Sequence, residues 1–423
     1  MRAKLTLLSA FAVGIVGGAL ASACQTYDFE PVEPLAIAQT TVGDVIKAKS
    51  SKPNLMLLLD TSGSMKLPVN PSLAACQTPN GVCGDPRSGA DCNVTTCPTR
   101  WSELQGAMSA FLKDNGATAR MGLTTFPQVP PGGSSTVDQC TASTAVKIPV
   151  PQLEDTDTAG LQKVASDIST VILGIPNSGV GSPVGGTPTS TSLRYVGNQP
   201  DLQGTDRQDF ILLLTDGLPN CNSGNPNSGS QTPDACQCTL SSCAGSADKL
   251  GCLDKDASVL AVSDLQAQKD IKTIVIGFGA ETADSKALAT LNEMAEKGGF
   301  ARSCDPTKAD SCGANDTCEA ATKLCGRRFY QAANQTELAT ALNQIINLVG
   351  STDPCLLALD AAQRPSDPSL IVVYVNDEAV ASGPDTWVLN DNGVEFQGAT
   401  CDRIKSSTDK NPIKLEARAI QRK

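Results

Sequence analysis

Unbroken apolar runs alternate along this chain with longer segments whose apolar residues recur every three or four positions. The clearest runs are Asn54-Leu-Met-Leu-Leu-Leu-Asp60 and Asp209-Phe-Ile-Leu-Leu-Leu-Thr-Asp216, and each ends in an acidic residue. Short apolar runs with no helical or alternating period suit strands buried on both faces of a parallel sheet. Residues 119–126, 145–150, 271–278 and 329–331 read as further strands. Between them, residues 100–113, 158–173, 253–268 and 284–297 read as helices. Leu104, Met108, Phe111 and Leu112 share one face of the first helix. Leu161, Val164, Ala165, Ile168 and Ile172 do so in the second. A last helix starts at Asn334 as N-cap, with Glu337 three positions on, and stops at Gly350. Its buried stripe is Leu338, Leu342, Ile345, Ile346 and Val349. Strands alternating with helices predict an α/β sheet.

Strands in such sheets aim their carboxyl ends at a crevice where ligands bind. Asp60, Ser62 and Ser64 therefore place one carboxylate and two hydroxyls on a single strand-to-helix turn. Asp216 offers a second carboxylate from a strand placed to be the neighbour. Hard oxygen donors without imidazole or thiolate suit Mg²⁺, Ca²⁺ or Mn²⁺.

Asp-x-Ser-x-Ser after a hydrophobic strand resembles the metal-ion-dependent adhesion site of von Willebrand factor A domains. The resemblance covers residues 51–350 and implies a Rossmann-like, doubly wound sheet. It also implies two further ligands, which fall on Thr187 in Gly185-Gly186-Thr187-Pro188 and on Asp216 in Leu-Thr-Asp216-Gly. By the same resemblance, Ser62, Ser64 and Thr187 ligate the divalent cation directly. Asp60 and Asp216 act directly or through water, and an acidic group of a partner completes the coordination.

Composition narrows the function further. The chain has 423 residues, 17 Cys, no His and a formal net charge of −11. Without His there is no serine-triad base and no ordinary proton shuttle. An acidic chain with few aromatics is a poor partner for nucleic acid. Phosphatase, dinucleotide and phosphate-loop motifs each fail at a required position: Ser62 stands where Asp is needed, Thr282 where Gly is needed, and Thr187 where Lys is needed. A binding module is expected, not an enzyme.

Residues 1–23 read as an export signal, with Arg2 and Lys4 before an apolar stretch and Ala21-Ser22-Ala23 as a small-residue cleavage site. Cys24 follows directly, which resembles a bacterial lipoprotein processing site, and residues 24–50 read as a tether. Assigning Cys24 to a lipid leaves 16 Cys, enough for eight disulfides. Most lie in three insertions rich in Gly, Pro, Asn and Asp, at residues 66–100, 217–252 and 301–327. Cys140 has no partner in its own segment and the second insertion holds five Cys, so a bridge from Cys140 to one of those five is expected.

Residues 351–423 change character. Residues 370–375 and 387–389 are rich in strand formers, and Asp391-Asn392-Gly393 is a strong hairpin turn. This predicts a small all-β module, with Cys355 and Cys401 as a candidate bridge. The order of leader, A domain, Cys-rich inserts and small tail resembles surface lipoproteins of gliding bacteria. That resemblance implies an outer-membrane, surface-exposed adhesin that couples a motility machinery to the substratum. Outer-membrane and periplasmic motility proteins would then be partners. The alternative is a periplasm-facing scaffold lipoprotein whose metal site docks an acidic loop of an envelope complex.

Overall fold

The computed structural model describes residues 52–419, apart from 156, 205–206, 228–232, 240–242, 244–247, 280–281, 283, 309–310, 314–315, 351–354, 359–367, 391–392 and 406–412. The export signal, Cys24, the tether and the turn residues Asp391 and Asn392 lie outside the described residues.

The central sheet consists of β1 (Asn54–Asp60), β2 (Arg120–Phe126), β3 (Asp209–Thr215), β4 (Ile271–Phe278) and β5 (Tyr330–Ala332). Its order is β2-β1-β3-β4-β5, and all four pairings are parallel. Besides two single-turn helices, Thr136–Gln139 and Pro233–Cys236, the helices around the sheet are α1 (Arg100–Asn115), α2 (Thr158–Gly174), α3 (Thr189–Val196), α4 (Lys255–Lys269), α5 (Ser285–Lys297) and α6 (Gln335–Gly350). This is the doubly wound α/β architecture that the alternation of patterns predicts.

Packing on both faces explains why the strand sequences show no alternation. Leu55, Leu57 and Leu59 of β1 join a core with Leu104, Met108, Ile168, Leu342 and Ile345, from α1, α2 and α6. Met56 and Leu58 point the other way, into a core with Leu193, Val262, Leu265 and Met294, from α3, α4 and α5. Every residue of β1, β2 and β3 is buried. The start of α6 matches its sequence signal: Asn334 Oδ1 accepts the Glu337 N–H at 3.0 Å, and Glu337 Oε2 accepts the Ala333 N–H at 2.8 Å.

The expected strand over 145–150 is shortened to a single antiparallel bridge, between Leu123 and Ile148. Pro149 and Pro151 follow Ile148 and have no amide hydrogen, so the ladder beside β2 does not extend past the bridge on that side. The helix α3 has no counterpart in the sequence pattern, because only Leu193 and Val196 of its eight residues are apolar and buried.

Each Cys among the described residues is paired. The first insertion is closed by Cys76–Cys97 and Cys83–Cys92, and the third by Cys304–Cys318 and Cys312–Cys325. The second holds Cys236–Cys252 and Cys238–Cys243, while its remaining cysteine, Cys221, reaches across to Cys140.

The C-terminal part has its own small core around Val373, Trp387, Val394 and Phe396. It carries β6 (Leu356–Ala358), β7 (Ile371–Val375), β8 (Glu378–Val380), β9 (Trp387–Asn390), β10 (Gly393–Phe396) and β11 (Leu415–Ala419). These form two three-stranded antiparallel sheets, β6-β10-β9 and β8-β7-β11. A helix, α7 (Gly398–Lys405), accompanies the strands, so the module is not purely β, and the Cys355–Cys401 bond ties α7 to the start of β6.

Candidate metal centre

The carboxyl ends of β1 and β3 bring the two acidic residues side by side. Asp60 ends β1, and its carboxylate is held from two directions. Oδ1 accepts the Ser62 N–H at 2.7 Å, and Oδ2 accepts the Thr215 hydroxyl at 2.7 Å. The turn after β1 then curls into a short 3₁₀ segment, Gly63–Lys66, which brings Ser64 back over the strand end. Ser62 Oγ and Ser64 Oγ lie 3.0 Å apart, and Ser64 Oγ donates to Asp216 Oδ1 at 2.8 Å. Asp60, Ser62, Ser64 and Asp216 thus form one continuous chain of contacts, which begins at the Ser62 amide.

Thr187 arrives from the loop before α3. Gly217, next to Asp216, has no side chain, and a Cβ there would stand 3.8 Å from Ser64 Oγ and 3.9 Å from Thr187 Oγ1. Ser64 and Thr187 thus both approach Gly217, and together with Asp216 they line one cavity. Two glycines make the approach of Thr187 possible. Gly185 has φ +94, and a Cβ there would meet Gln139 O at 2.4 Å. At Gly186 a Cβ would meet Cys221 Sγ at 2.5 Å.

The loop is clamped on both sides. Gly186 N–H donates to Gln139 O at 2.9 Å, and Thr187 N–H donates to Asn220 Oδ1 at 2.7 Å. The residues following Gln139 and Asn220 are Cys140 and Cys221, which are bonded to each other. The bridge from Cys140 to the second insertion therefore sits directly behind the Gly-Gly-Thr segment.

Three contributors escaped the sequence reading. Thr215 fixes the rotamer of Asp60, Asn220 fixes the backbone of Thr187, and Arg100 pairs with Asp216 at 2.7 Å. Thr215 stands next to a named ligand in sequence, a local signal. Arg100 and Asn220 meet their partners only through the fold.

Above the donors opens a cavity of about 470 Å³, lined among others by Ser64, Arg100, Thr187, Asp216, Asn220 and Asp284. Asp60 and Asp216 are buried, at 0% and 1% exposure. Burial pushes the Asp60 carboxyl up to about 7, and repulsion from Asp216 adds to the effect, against the hydrogen bonds from Ser62 and Thr215. Once both are ionised, the two buried carboxylates beside one guanidinium leave a negative charge uncompensated. An all-oxygen donor set with that charge fits a hard divalent cation, Mg²⁺, Ca²⁺ or Mn²⁺, held by Asp60, Ser62, Ser64, Thr187 and Asp216. The cysteine clusters elsewhere are disulfides and offer no thiolate ligands.

No family model matches this chain, and no curated protein does. Distant likenesses occur among solved structures. The PilB minor pilin from Streptococcus sanguinis is 16% identical, with a TM-score of 0.37, over 71% of this chain and 62% of that one. The pilus adhesin SpaC from Lactobacillus rhamnosus GG is 14% identical, with a TM-score of 0.37, over 88% of this chain and 40% of that one. The vWF domain of the type V pili tip protein Mfa5 from Porphyromonas gingivalis is 13% identical, with a TM-score of 0.36, over 71% of this chain and 96% of that one. This chain spans less than two-thirds of the length of the first two.

Proposed function

We propose that this chain is a metal-ion-dependent binding module that acts as a cell-surface adhesin. The observation that supports it is the cluster of two buried carboxylates and three hydroxyls beneath an open cavity. Asp60, Ser62, Ser64, Thr187 and Asp216 would hold a divalent cation there, and the cation would attract a carboxylate of the partner. Everything else is done by the chain. Thr215 and the Ser62 amide aim Asp60, Asn220 aims Thr187, and the Cys140–Cys221 bond holds the rim in shape. A rim fixed before binding reduces the ordering cost of association.

In its fuller form the reading is an outer-membrane adhesin, anchored by lipid on Cys24, that couples a gliding machinery to the substratum. The motility proteins of the envelope would be its partners on the cell side. Titration of Mg²⁺ into the wild type and Asp60→Ala tests the site. The wild type should bind and the variant should not, and equal binding by both would remove the assignment. Protease shaving of intact cells and attachment of an Asp60→Ala strain test the adhesin role. An uncleaved protein points instead to a periplasm-facing scaffold, and unchanged attachment removes adhesion.

A further inference from the structure

The first insertion delivers a charge to the site that the five oxygen donors do not include. Arg100 is the first residue of α1, its side chain is 3% exposed, and its Nη1 lies 2.7 Å from Asp216 Oδ2. The other oxygen of that carboxylate accepts from Ser64. Asp216 is therefore shared between a hydroxyl of the donor set and a guanidinium.

The placement of Arg100 is built into the backbone. Its N–H donates to Leu67 O at 3.0 Å, Val69 N–H donates to Pro98 O at 3.1 Å, and Pro68 pairs with Thr99 in an antiparallel bridge. The Cys76–Cys97 bond closes the same insertion three residues before Arg100. Thr99 then caps α1 through a reciprocal pair with Ser102. The two ends of the insertion are thus zipped together, and the zipper ends on the arginine. Leu67 and Arg100 both line the cavity over the donors.

Charge counting gives this pair a consequence. Among the buried groups, Asp60 and Asp216 contribute two negative charges once both are ionised and Arg100 one positive charge, a net of one negative charge for a cation to meet. A divalent cation takes that to one positive charge. Without Arg100 the loaded site would be neutral. A guanidinium keeps its proton throughout the accessible pH range, so its contribution is permanent. We propose that Arg100 is a specificity-determining residue of this site. It weakens the hold of the donors on the cation, and it leaves the loaded site with one positive charge that selects a carboxylate on the partner. The proposal rests on the metal-dependent reading above.

The test uses the exported chain as wild type, Arg100→Met and Arg100→Lys. Mn²⁺ is titrated calorimetrically, and a short glutamate-bearing peptide is then titrated into the loaded proteins, with its glutamine counterpart as control. Removing one nearby charge should make Arg100→Met bind Mn²⁺ roughly tenfold tighter and the glutamate peptide roughly tenfold weaker, with Arg100→Lys near wild type in both. A purely structural arginine would weaken both when lost. Constants that move in the same direction, or do not move, overturn the proposal, as does a loaded wild type indifferent to the glutamate peptide. An Arg100→Met chain that unfolds without ion should refold in saturating Mn²⁺, since the ion replaces the lost charge, and failure to do so overturns the proposal too. A wild type that takes up no Mn²⁺ overturns the metal-dependent reading and this proposal with it.

Discussion

Asn220 brackets the backbone of Thr187 on both sides of its Cα. Its Oδ1 accepts the Thr187 N–H at 2.7 Å, and its own N–H donates to the Thr187 carbonyl at 2.9 Å. The amide Nδ2 is anchored in turn on Thr239 Oγ1 at 2.9 Å. A hydroxyl ligand on a loop has no strand to aim it, so this bracket does the aiming.

Asn220→Ala should therefore weaken cation binding without touching the cation. It strands the buried Thr187 N–H, a cost of about 1–3 kcal/mol. The expected result is an affinity for Mn²⁺ lower by roughly tenfold, the equivalent of about 1.4 kcal/mol. Calorimetric titration of variant and wild type at one pH checks it.

The Cys140–Cys221 bond braces the same loop from behind. It joins residues 81 positions apart, the longest separation among the eight disulfides described. In the chain-entropy picture a loop of that size contributes about 4 kcal/mol. Cys140→Ser with Cys221→Ser should lower the melting temperature and weaken Mn²⁺ binding together, because Gln139 and Asn220 lose their link. Cys355→Ser with Cys401→Ser opens a bond in the separate C-terminal core and should leave Mn²⁺ binding unchanged. Parallel melts and titrations of the two double variants separate brace from bystander.

The residues of this site differ in how far the sequence discloses them. Asp60, Ser62 and Ser64 lie within five positions on one turn, so the apolar run before them is enough to mark the place. Asp216 is marked by its own run, whereas Thr187 is named only by the family resemblance. Arg100 and Asn220 carry no local sign, because their partners stand 116 and 33 residues away. The sheet was legible for a similar reason: both faces are packed, so β1 and β3 show as unbroken apolar runs. The misjudged edge at residues 145–150 has the right strand formers, but Pro149 and Pro151 deny it a ladder.

The burial of Asp60 makes the ion-free chain sensitive to pH in a defined direction. Its carboxyl is pushed up to about 7, from an ordinary 3.8, so the folded chain keeps a proton that the unfolded chain releases. This term stabilises the fold fully below the unfolded value and is lost as pH rises towards 7. In chelator, the stability of wild type relative to Asp60→Asn should fall from pH 4 to pH 7 and level off above. A cation favours the ionised carboxylate, so the melting shift produced by Mg²⁺ should be largest above pH 7 and shrink below pH 6. Melts across that range, with and without Mg²⁺, decide it, and a Mg²⁺ shift indifferent to pH would exclude Asp60 from the ion.

At the opposite end of the sheet, a second buried charge cluster offers a control for every measurement above. Asp155 Oδ1 accepts from Arg120 Nε and from Arg207 Nη1, each at 3.1 Å, while Arg207 also donates to Lys52 O at 2.7 Å. Burial pushes the Asp155 carboxyl up, but Arg207 and Arg120 outweigh it and hold the group below the usual carboxylate range. Its stabilising contribution is thus present above the unfolded value and is lost as pH falls through the folded one. Arg120 pairs with Asn54 at the start of β1, and Asp60 is the last residue of that strand. Seven residues of strand separate the two clusters by roughly 20 Å. Asp155→Ala leaves two buried guanidinium groups without their shared carboxylate, a loss of about 3–5 kcal/mol. Denaturant unfolding should register that loss, while the Mn²⁺ affinity of the folded variant stays at the wild-type value. If Mn²⁺ binding instead fell in step with stability, the effects of Asn220→Ala would also have to be read as global unfolding, not as misplacement of Thr187.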